Sequence, residues 1–176
     1  MFFPLHPDTP PEGRSLAALF AGQRVDLAGM HQHLADLMRA EGLPYGARTH
    51  TYNSRLAQEL GKWVETEAKT ARDGDAGIVG RVHDALYRAY FVEGRNIGDT
   101  EELVTIADTL GLPGSIVREM LTARRMRDAV DADWVYSRRS GVTGVPTFLA
   151  GGRTVVGAQP YEVLEQLVMA AGATRR

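Results

Sequence analysis

The sequence of 176 residues contains no cysteine. A chain without cysteine cannot form a disulfide, attack a substrate through a thiolate, or hold zinc or an iron–sulfur cluster through sulfur. These kinds of chemistry are excluded for this chain before any motif is considered.

The sequence also lacks an excess of charge of either sign. Its 20 Lys and Arg residues against 22 Asp and Glu residues give a formal charge of −2. Such a balance does not favour nucleic acid or a membrane surface, so we expect neither as a partner. No run of about 18 apolar residues occurs, and Met1–Gly13 has neither the basic nor the long apolar region of a signal peptide. We therefore expect a cytoplasmic protein.

Strand patterns occur only near the two ends of the sequence. Phe2–Leu5 is predicted to form a short strand that leads into a proline-rich turn. Pro146–Ala150 and Thr154–Val156 flank a Gly-Gly pair, which predicts a β-hairpin because both glycines tolerate positive φ. A last helix is predicted to begin at Pro160. The chain is therefore expected to be α/β, with helices between the strands.

Helix signals fill the middle of the sequence. Asp26, Asn53 and Asp99 each precede a periodic apolar pattern and are predicted N-caps. A capping box is predicted at Asp99, because Glu102 follows three residues later. Residues 115–139 are predicted to be helical, with a possible break, and residues 74–77 to form a loop. The helix after Asp26 is predicted to carry one apolar stripe, made of Leu27, Met30, Leu34, Leu37 and Met38.

The remaining charged and histidine residues do not suggest a metal or anion site. Basic and acidic residues alternate between Arg124 and Asp133, which favours a solvated helix face over an anion patch. His31 and His33 lie about 200° apart on a helix and cannot share one metal ion. Asp73–Asp75 begins a calcium-like spacing, but Ile78 stands where that loop needs glycine. We expect no metal and no cofactor.

Several stretches in order along the chain resemble DsbA/FrnE-like thioredoxin-fold proteins. The strongest runs from Gly141 to Phe148 (GVTGVPTF) and continues through Gly151-Gly152 and Val156–Pro160. The others are Phe3–Asp8, Tyr52–Ala57, Tyr87–Phe91 and Gly94–Ile97. The resemblance implies a thioredoxin-like α/β fold of the DsbA class. It assigns residues 1–13 and 141–176 to the thioredoxin-like part and residues 14–140 to an inserted all-helical subdomain.

The family carries its chemistry on a C-x-x-C motif between the first strand and the following helix. The resemblance begins after that point, so the first strand and active-site helix, roughly 30–40 residues, are expected to be absent. The missing strand would lie between Phe2–Leu5 and Pro146–Ala150, and its loss would leave backbone groups unpaired. Phe2–Leu5 could fill the gap, a second chain could supply an edge, or the true start could lie upstream. We favour the last, a truncated chain.

The resemblance also implies site residues. Pro146 would be a cis-proline beside the disulfide site, with Val145 and Thr147 next to it. Val145 would present its backbone to an extended peptide or to glutathione. Asn53 is the remaining substrate-binding candidate, although an N-cap role explains it more simply. His6 is expected to be an exposed turn histidine. No catalytic residue is expected in this chain.

Three hypotheses for function follow. In the first, the chain is part of a FrnE-type thiol–disulfide oxidoreductase that acts on a protein or small thiol/disulfide substrate, and it is inactive as it stands. In the second, it belongs to a glutathione-dependent isomerase or transferase related to 2-hydroxychromene-2-carboxylate isomerase and the kappa class. In the third, it is a non-catalytic scaffold that binds peptide or forms a homodimer through an open sheet edge.

Overall fold

The computed structural model describes residues 1–46, 48–70 and 77–174. These residues form two compact units, which we name by their content. The helical unit comprises residues 4–131, and the hairpin unit comprises residues 1–3 and 132–176. Within the described ranges, no helix has both the length and the apolar character needed to cross a membrane. The assignment of residues 14–140 to an inserted helical subdomain stays a prediction.

The helical unit contains two very short strands and a series of helices. Strands β1 (Arg14–Ser15) and β2 (His50–Thr51) pair antiparallel. The helices are α1 (Leu16–Leu19), α2 (Leu27–Ala40), α3 (Arg55–Thr70), α4 (Ile78–Tyr87), α5 (Thr100–Thr109) and α6 (Gly114–Thr122). Helix α4 continues into a π-helical turn at Arg88–Val92. Helix α7 (Arg127–Arg139) follows α6 after a break, as the sequence predicts, and its residues from Ala132 onward belong to the hairpin unit.

Two of the predicted helix caps are confirmed. Asp26 Oδ1 accepts a hydrogen bond from the Gly29 amide at 3.0 Å and begins α2. Asp99 Oδ1 accepts from the Glu101 and Glu102 amides at 2.8 and 3.0 Å and begins α5. Glu102 does not complete the predicted capping box, because its Oε2 accepts from Arg95 Nε at 2.6 Å and the Asp99 amide donates to the Asn96 carbonyl at 3.0 Å. Each helix therefore starts where a short carboxylate satisfies amides that have no partner within the helix.

The core of the helical unit is built mainly by α3, α4, α5 and α6. Its fully buried large side chains include Leu60, Val82, Leu103, Val117 and Met120. Burying each such side chain contributes roughly 1.5–3 kcal/mol. Helix α2 behaves differently, because none of its residues is buried and Leu37 is exposed. The apolar stripe of α2 therefore lies outside the buried core.

A carboxylate lies inside this unit among arginines. Glu59 is completely buried and accepts three bonds from Arg124, the shortest at 2.7 Å, and one from Arg55 at 2.7 Å. Arg55 also donates to Asp131 at 2.6 Å. Desolvation opposes the charge, but the bonds from the two arginines outweigh it and lower the pKa of Glu59. Arg124 is thus not simply part of a solvated helix face, because a residue distant in sequence supplies its buried partner.

The hairpin unit contains a β-hairpin and a helix that packs on it. Strands β3 (Thr147–Ala150) and β4 (Arg153–Val156) pair antiparallel across the Gly151-Gly152 turn, where φ is 54° and 74°. Helix α8 (Tyr161–Ala170) begins directly after Pro160 and contacts both strands. An added Cβ on Gly151 would lie 2.9 Å from the Cβ of Ala171. The predicted hairpin and final helix are confirmed.

Two further predictions concern the segment Phe2–Leu5 and the region around residues 73–77. Phe2–Leu5 does not form a strand, so that prediction is wrong. Strand geometry needs a partner strand, and the Phe2 amide donates instead to the Asp133 carboxylate at 2.8 Å. The predicted 74–77 loop and the calcium-like spacing at Asp73–Asp75 lie outside the described residues, except for Gly77.

Candidate functional site

Three of the predicted site residues are consecutive at the start of β3. The Val145–Pro146 peptide bond is cis, as the resemblance implies. Val145 is 51% exposed, and Pro146 is also exposed. Thr147 Oγ1 donates to the Gly144 carbonyl at 2.6 Å, which ties the strand to the preceding turn. The segment therefore presents its backbone on the surface of the hairpin unit.

The register of the hairpin determines which way each backbone group of β3 points. The Gly157 amide donates to the Pro146 carbonyl at 2.8 Å, so Pro146 is bonded on the β4 side. Bonded residues alternate along an antiparallel strand. Phe148 and Ala150, opposite Val155 and Arg153, therefore also bond to β4.

The alternate residues of β3 face the other way. Thr147 and Leu149 direct their backbone N–H and C=O groups away from β4, and no strand pairs with that side within the described part of the chain. We call these outward groups of Thr147 and Leu149 the open edge. Such a row of free donors and acceptors can accept an added strand.

Several apolar side chains of the hairpin unit are exposed. Val145, Leu149 and Val156 are each about half exposed, at 51%, 45% and 51%. Tyr161 at the start of α8 is 73% exposed. Exposed apolar groups clustered near free backbone groups mark a surface that could bury them against a partner.

Asn53, the remaining predicted site residue, belongs to the helical unit. Its Oδ1 accepts from the Arg55 amide at 3.0 Å, and its Nδ2 donates to the Pro7 carbonyl at 2.7 Å. Asn53 thus forms a turn that leads into α3, one position earlier than a regular N-cap. Both ends of the side-chain amide already have protein partners, and its assignment to a substrate site stays a prediction.

His6 differs from expectation because it is not exposed. It is half-buried in a turn with φ of 50°, and its carbonyl accepts from Thr9 Oγ1 at 2.8 Å. Burial lowers the pKa of His6, and the charges of Arg48 and Arg14 lower it further. No residue pattern near His6 indicates that the charges of these two arginines act on it.

Sequence reasoning missed Leu149 as part of the site. The information was available, because a two-residue Gly-Gly turn fixes the hairpin register and therefore the direction of every backbone group in β3. No group of three or more potential metal ligands exists across the ranges that the structure describes.

These features are those of a thioredoxin-fold protein, and solved structures share its fold. The probable DsbA oxidoreductase of Streptomyces coelicolor superposes with a TM-score of 0.81 at 29% identity, covering 99% of this chain and 74% of that one. A putative protein disulfide isomerase from Nitrosomonas europaea superposes with a TM-score of 0.58 at 18% identity. That match covers 81% of this chain and 72% of the other and shows the fold alone.

Sequence comparison identifies the family. The model of the DSBA-like thioredoxin domain matches residues 2–169, so the chain belongs to this family and has the DsbA-class fold that the sequence predicts. The uncharacterized protein YwbO of Bacillus subtilis is 30% identical over 84 residues. That region is 47% of this chain and 42% of YwbO, so the chain matches less than half of that relative's length.

Proposed function

We propose that this chain is the substrate-binding part of a FrnE-type thiol–disulfide oxidoreductase and does not exchange disulfides by itself. The observation that carries the proposal is the open edge next to Val145–Pro146 in a chain that has no cysteine. Membership of the DSBA-like family supports the class of substrate, which is an extended polypeptide or a small thiol or disulfide. Exchange requires a thiolate, which this chain cannot supply.

Binding at the open edge would follow the pairing rules of a sheet. An extended peptide would accept from the outward amides and donate to the outward carbonyls of Thr147 and Leu149. Its apolar side chains would cover Val145 and Leu149. Each backbone bond contributes about 0.5–1.5 kcal/mol, so loss of one donor is expected to weaken binding roughly three- to tenfold.

Two proline substitutions test this pairing with a matched control. Leu149 and Thr154 are opposite each other in the hairpin, are both exposed, and direct their amides to opposite sides of the two-stranded sheet. Leu149→Pro removes a donor from the open edge, and Thr154→Pro removes one from the far side of β4. We expect only Leu149→Pro to weaken binding of a cysteine-free peptide with alternating β-branched residues.

Amide shifts in NMR spectra provide the measurement. In the unsubstituted chain, the peptide should shift the Thr147 and Leu149 amides more than those of Phe148 and Ala150. Equal losses of affinity in the two proline variants would contradict the proposal. Turnover of a model disulfide by the chain alone would contradict its second part.

The same surface supports a second candidate, a scaffold that pairs with another copy of itself. The observation in its favour is the presence of exposed apolar residues, Val145 and Leu149, beside unpaired backbone groups. Sedimentation would then show a dimer that Leu149→Pro dissociates. A glutathione-dependent isomerase would instead show glutathione binding without any dependence on Leu149→Pro.

A further inference from the structure

A second group of residues, in the helical unit, has features of a binding site that the proposed function does not use. The Arg48 guanidinium lies 4.7 Å from the ring centroid of Tyr90 and 5.3 Å from that of Phe91. Its Nη1 donates to the Tyr90 hydroxyl at 2.5 Å and to the His50 carbonyl at 3.3 Å. These contacts hold the guanidinium in one position on the aromatic rings.

The charge of Arg48 is not matched by any acid among the residues described. The structure gives it no carboxylate within ion-pair distance, in contrast to Arg55 and Arg124 of the same unit. Its Nε is buried and finds no hydrogen-bond acceptor. A buried donor without an acceptor destabilises the folded state, and more so when it is charged. An anion beside the guanidinium would offset this cost through its charge.

Further positive groups lie near Arg48. The register of β1 and β2 sets Arg14 opposite Thr51, and residues directly opposite share one face of the pair. Thr51 Oγ1 lies 3.1 Å from the Tyr90 hydroxyl, the group that Arg48 contacts. Arg14 also has no ion pair among the residues described. The fields of Arg48 and Arg14 both reach His6 and, after burial, lower its pKa.

We propose that Arg48 and Arg14, which we call the Arg48 cluster, bind a small oxyanion, either a phosphate or the carboxylate of a small molecule. The planar guanidinium presents paired N–H donors that match two oxygens of such a group. The Tyr90 hydroxyl and the Thr51 hydroxyl provide further polar atoms beside Arg48. The proposal is independent of the open edge and of disulfide chemistry.

Titration with inorganic phosphate tests the site through Arg48 itself. The probe is the Nε–Hε resonance of Arg48 in a ¹⁵N-labelled chain, with sodium chloride at matched ionic strength as the reference. We expect a saturable shift with phosphate and none with chloride. Sodium acetate forms a second arm, and the tighter of the two anions identifies the ligand as a phosphate or a carboxylate.

Three substitutions make the result specific. Arg48→Gln and Arg14→Gln should each weaken binding about tenfold or more, because charged hydrogen bonds contribute about 1.5–3 kcal/mol. Arg24→Gln is the matched control, since Arg24 is an exposed arginine of the same unit. If Arg48→Gln fails to fold, Arg14→Gln still tests the proposal, because Arg14 is exposed. Phosphate binding to this variant is then measured by the amide shifts of Thr51 and Tyr90.

Phosphate also stabilises proteins in general by exclusion from their surface, so a rise in melting temperature alone is not sufficient. A rise that persists in Arg24→Gln and is lost in Arg14→Gln would support the site. Equal responses in all variants, or an Arg48 shift that chloride reproduces, would overturn the proposal.

Discussion

The helical unit and the hairpin unit differ in how completely they bury their apolar side chains. In the helical unit, Leu60, Leu103 and Met120 are fully excluded from water. In the hairpin unit, Val145, Leu149 and Val156 keep about half of their surface exposed. A two-stranded sheet with one helix cannot cover both faces and both edges of its strands, and isolated hairpins are only marginally stable. The comparison indicates that the helical unit supplies most of the stability, whereas the hairpin unit keeps apolar surface exposed where we propose that a peptide binds.

The largest change in stability is expected from a substitution that removes core volume from the helical unit. Leu60→Ala is expected to reduce the free energy of unfolding by about 2–5 kcal/mol, because the substitution leaves a cavity among fully buried neighbours. Urea denaturation followed by tryptophan fluorescence gives the measurement, with Trp63 in the helical unit and Trp134 in the hairpin unit as separate probes. A loss below about 1 kcal/mol would show that this core is not the main source of stability.

The next test concerns the buried carboxylate. Glu59→Gln leaves Arg55 and Arg124 without their charged partner, and breaking a buried pair costs about 3–5 kcal/mol. Arg124 is 43% exposed, so we expect a smaller loss, about 2–3 kcal/mol. Glu101→Gln is the control, because the Glu101–Arg118 pair is exposed and its removal should have a much smaller effect.

The pH dependence of the same substitution gives an independent check. The pKa of Glu59 is lower in the folded protein than its ordinary value of 4.5. Its contribution to stability is therefore fully present above 4.5 and is lost as the pH falls through the folded pKa. The difference in unfolding free energy between the unsubstituted chain and Glu59→Gln should shrink as denaturation is repeated from neutral to acidic pH. A constant difference would show that Glu59 packing, not its charge, matters.

A smaller effect is expected from the helix caps, which also differ in their surroundings. Asp99 and Asp26 cap helices in similar ways, but α5 contributes buried residues and α2 contributes none. Asp99→Ala should cost about 1 kcal/mol, whereas Asp26→Ala should cost less because α2 can fray without opening the core. Denaturation midpoints of the two variants provide the comparison, and a larger loss for Asp26→Ala would contradict it.

The smallest effect is predicted in the hairpin unit. Leu149→Ala should change the free energy of unfolding by less than about 0.5 kcal/mol, because the side chain is already largely solvated. The same substitution should weaken binding of an extended peptide measurably. A loss of stability comparable with that of Leu60→Ala would show that the hairpin surface is part of a core.

The features that sequence reasoning predicted correctly depend on nearby residues. Asp26 and Asp99 accept bonds from amides two or three positions ahead, and the Gly151-Gly152 turn joins adjacent strands. Such interactions are visible in a short window of sequence. The DsbA-class fold was also accessible, through motifs spread along the chain in order, and the family match over residues 2–169 confirms it.

The incorrect or missed features depend on distant partners. Phe2–Leu5 has strand composition, but a strand also requires a neighbour, which composition does not report. Helix α2 has an apolar stripe, yet the burial of that stripe depends on packing against distant helices, which the stripe alone does not report. Arg124 lies 65 positions from Glu59, so nothing near it in sequence marks it as the partner of a buried charge.

In the candidate sites, too, only the features formed by consecutive residues could be predicted from the sequence. The Val145–Pro146 segment was recognised from consecutive residues. The grouping of Arg48 with Arg14 comes from strand pairing and from hydroxyl contacts between residues far apart in sequence, and no spacing rule would have suggested it.

The two-residue turn of the hairpin places an evolutionary restriction on this protein. Surface loops usually tolerate insertions and deletions because nothing depends on their length. At Gly151-Gly152, one added residue that shifted the pairing by one position would exchange the inward and outward residues of β3. Thr147 and Leu149 would then bond to β4, and Phe148 and Ala150 would face outward. Among functional relatives, we therefore expect this loop to change in residue type but to keep its length.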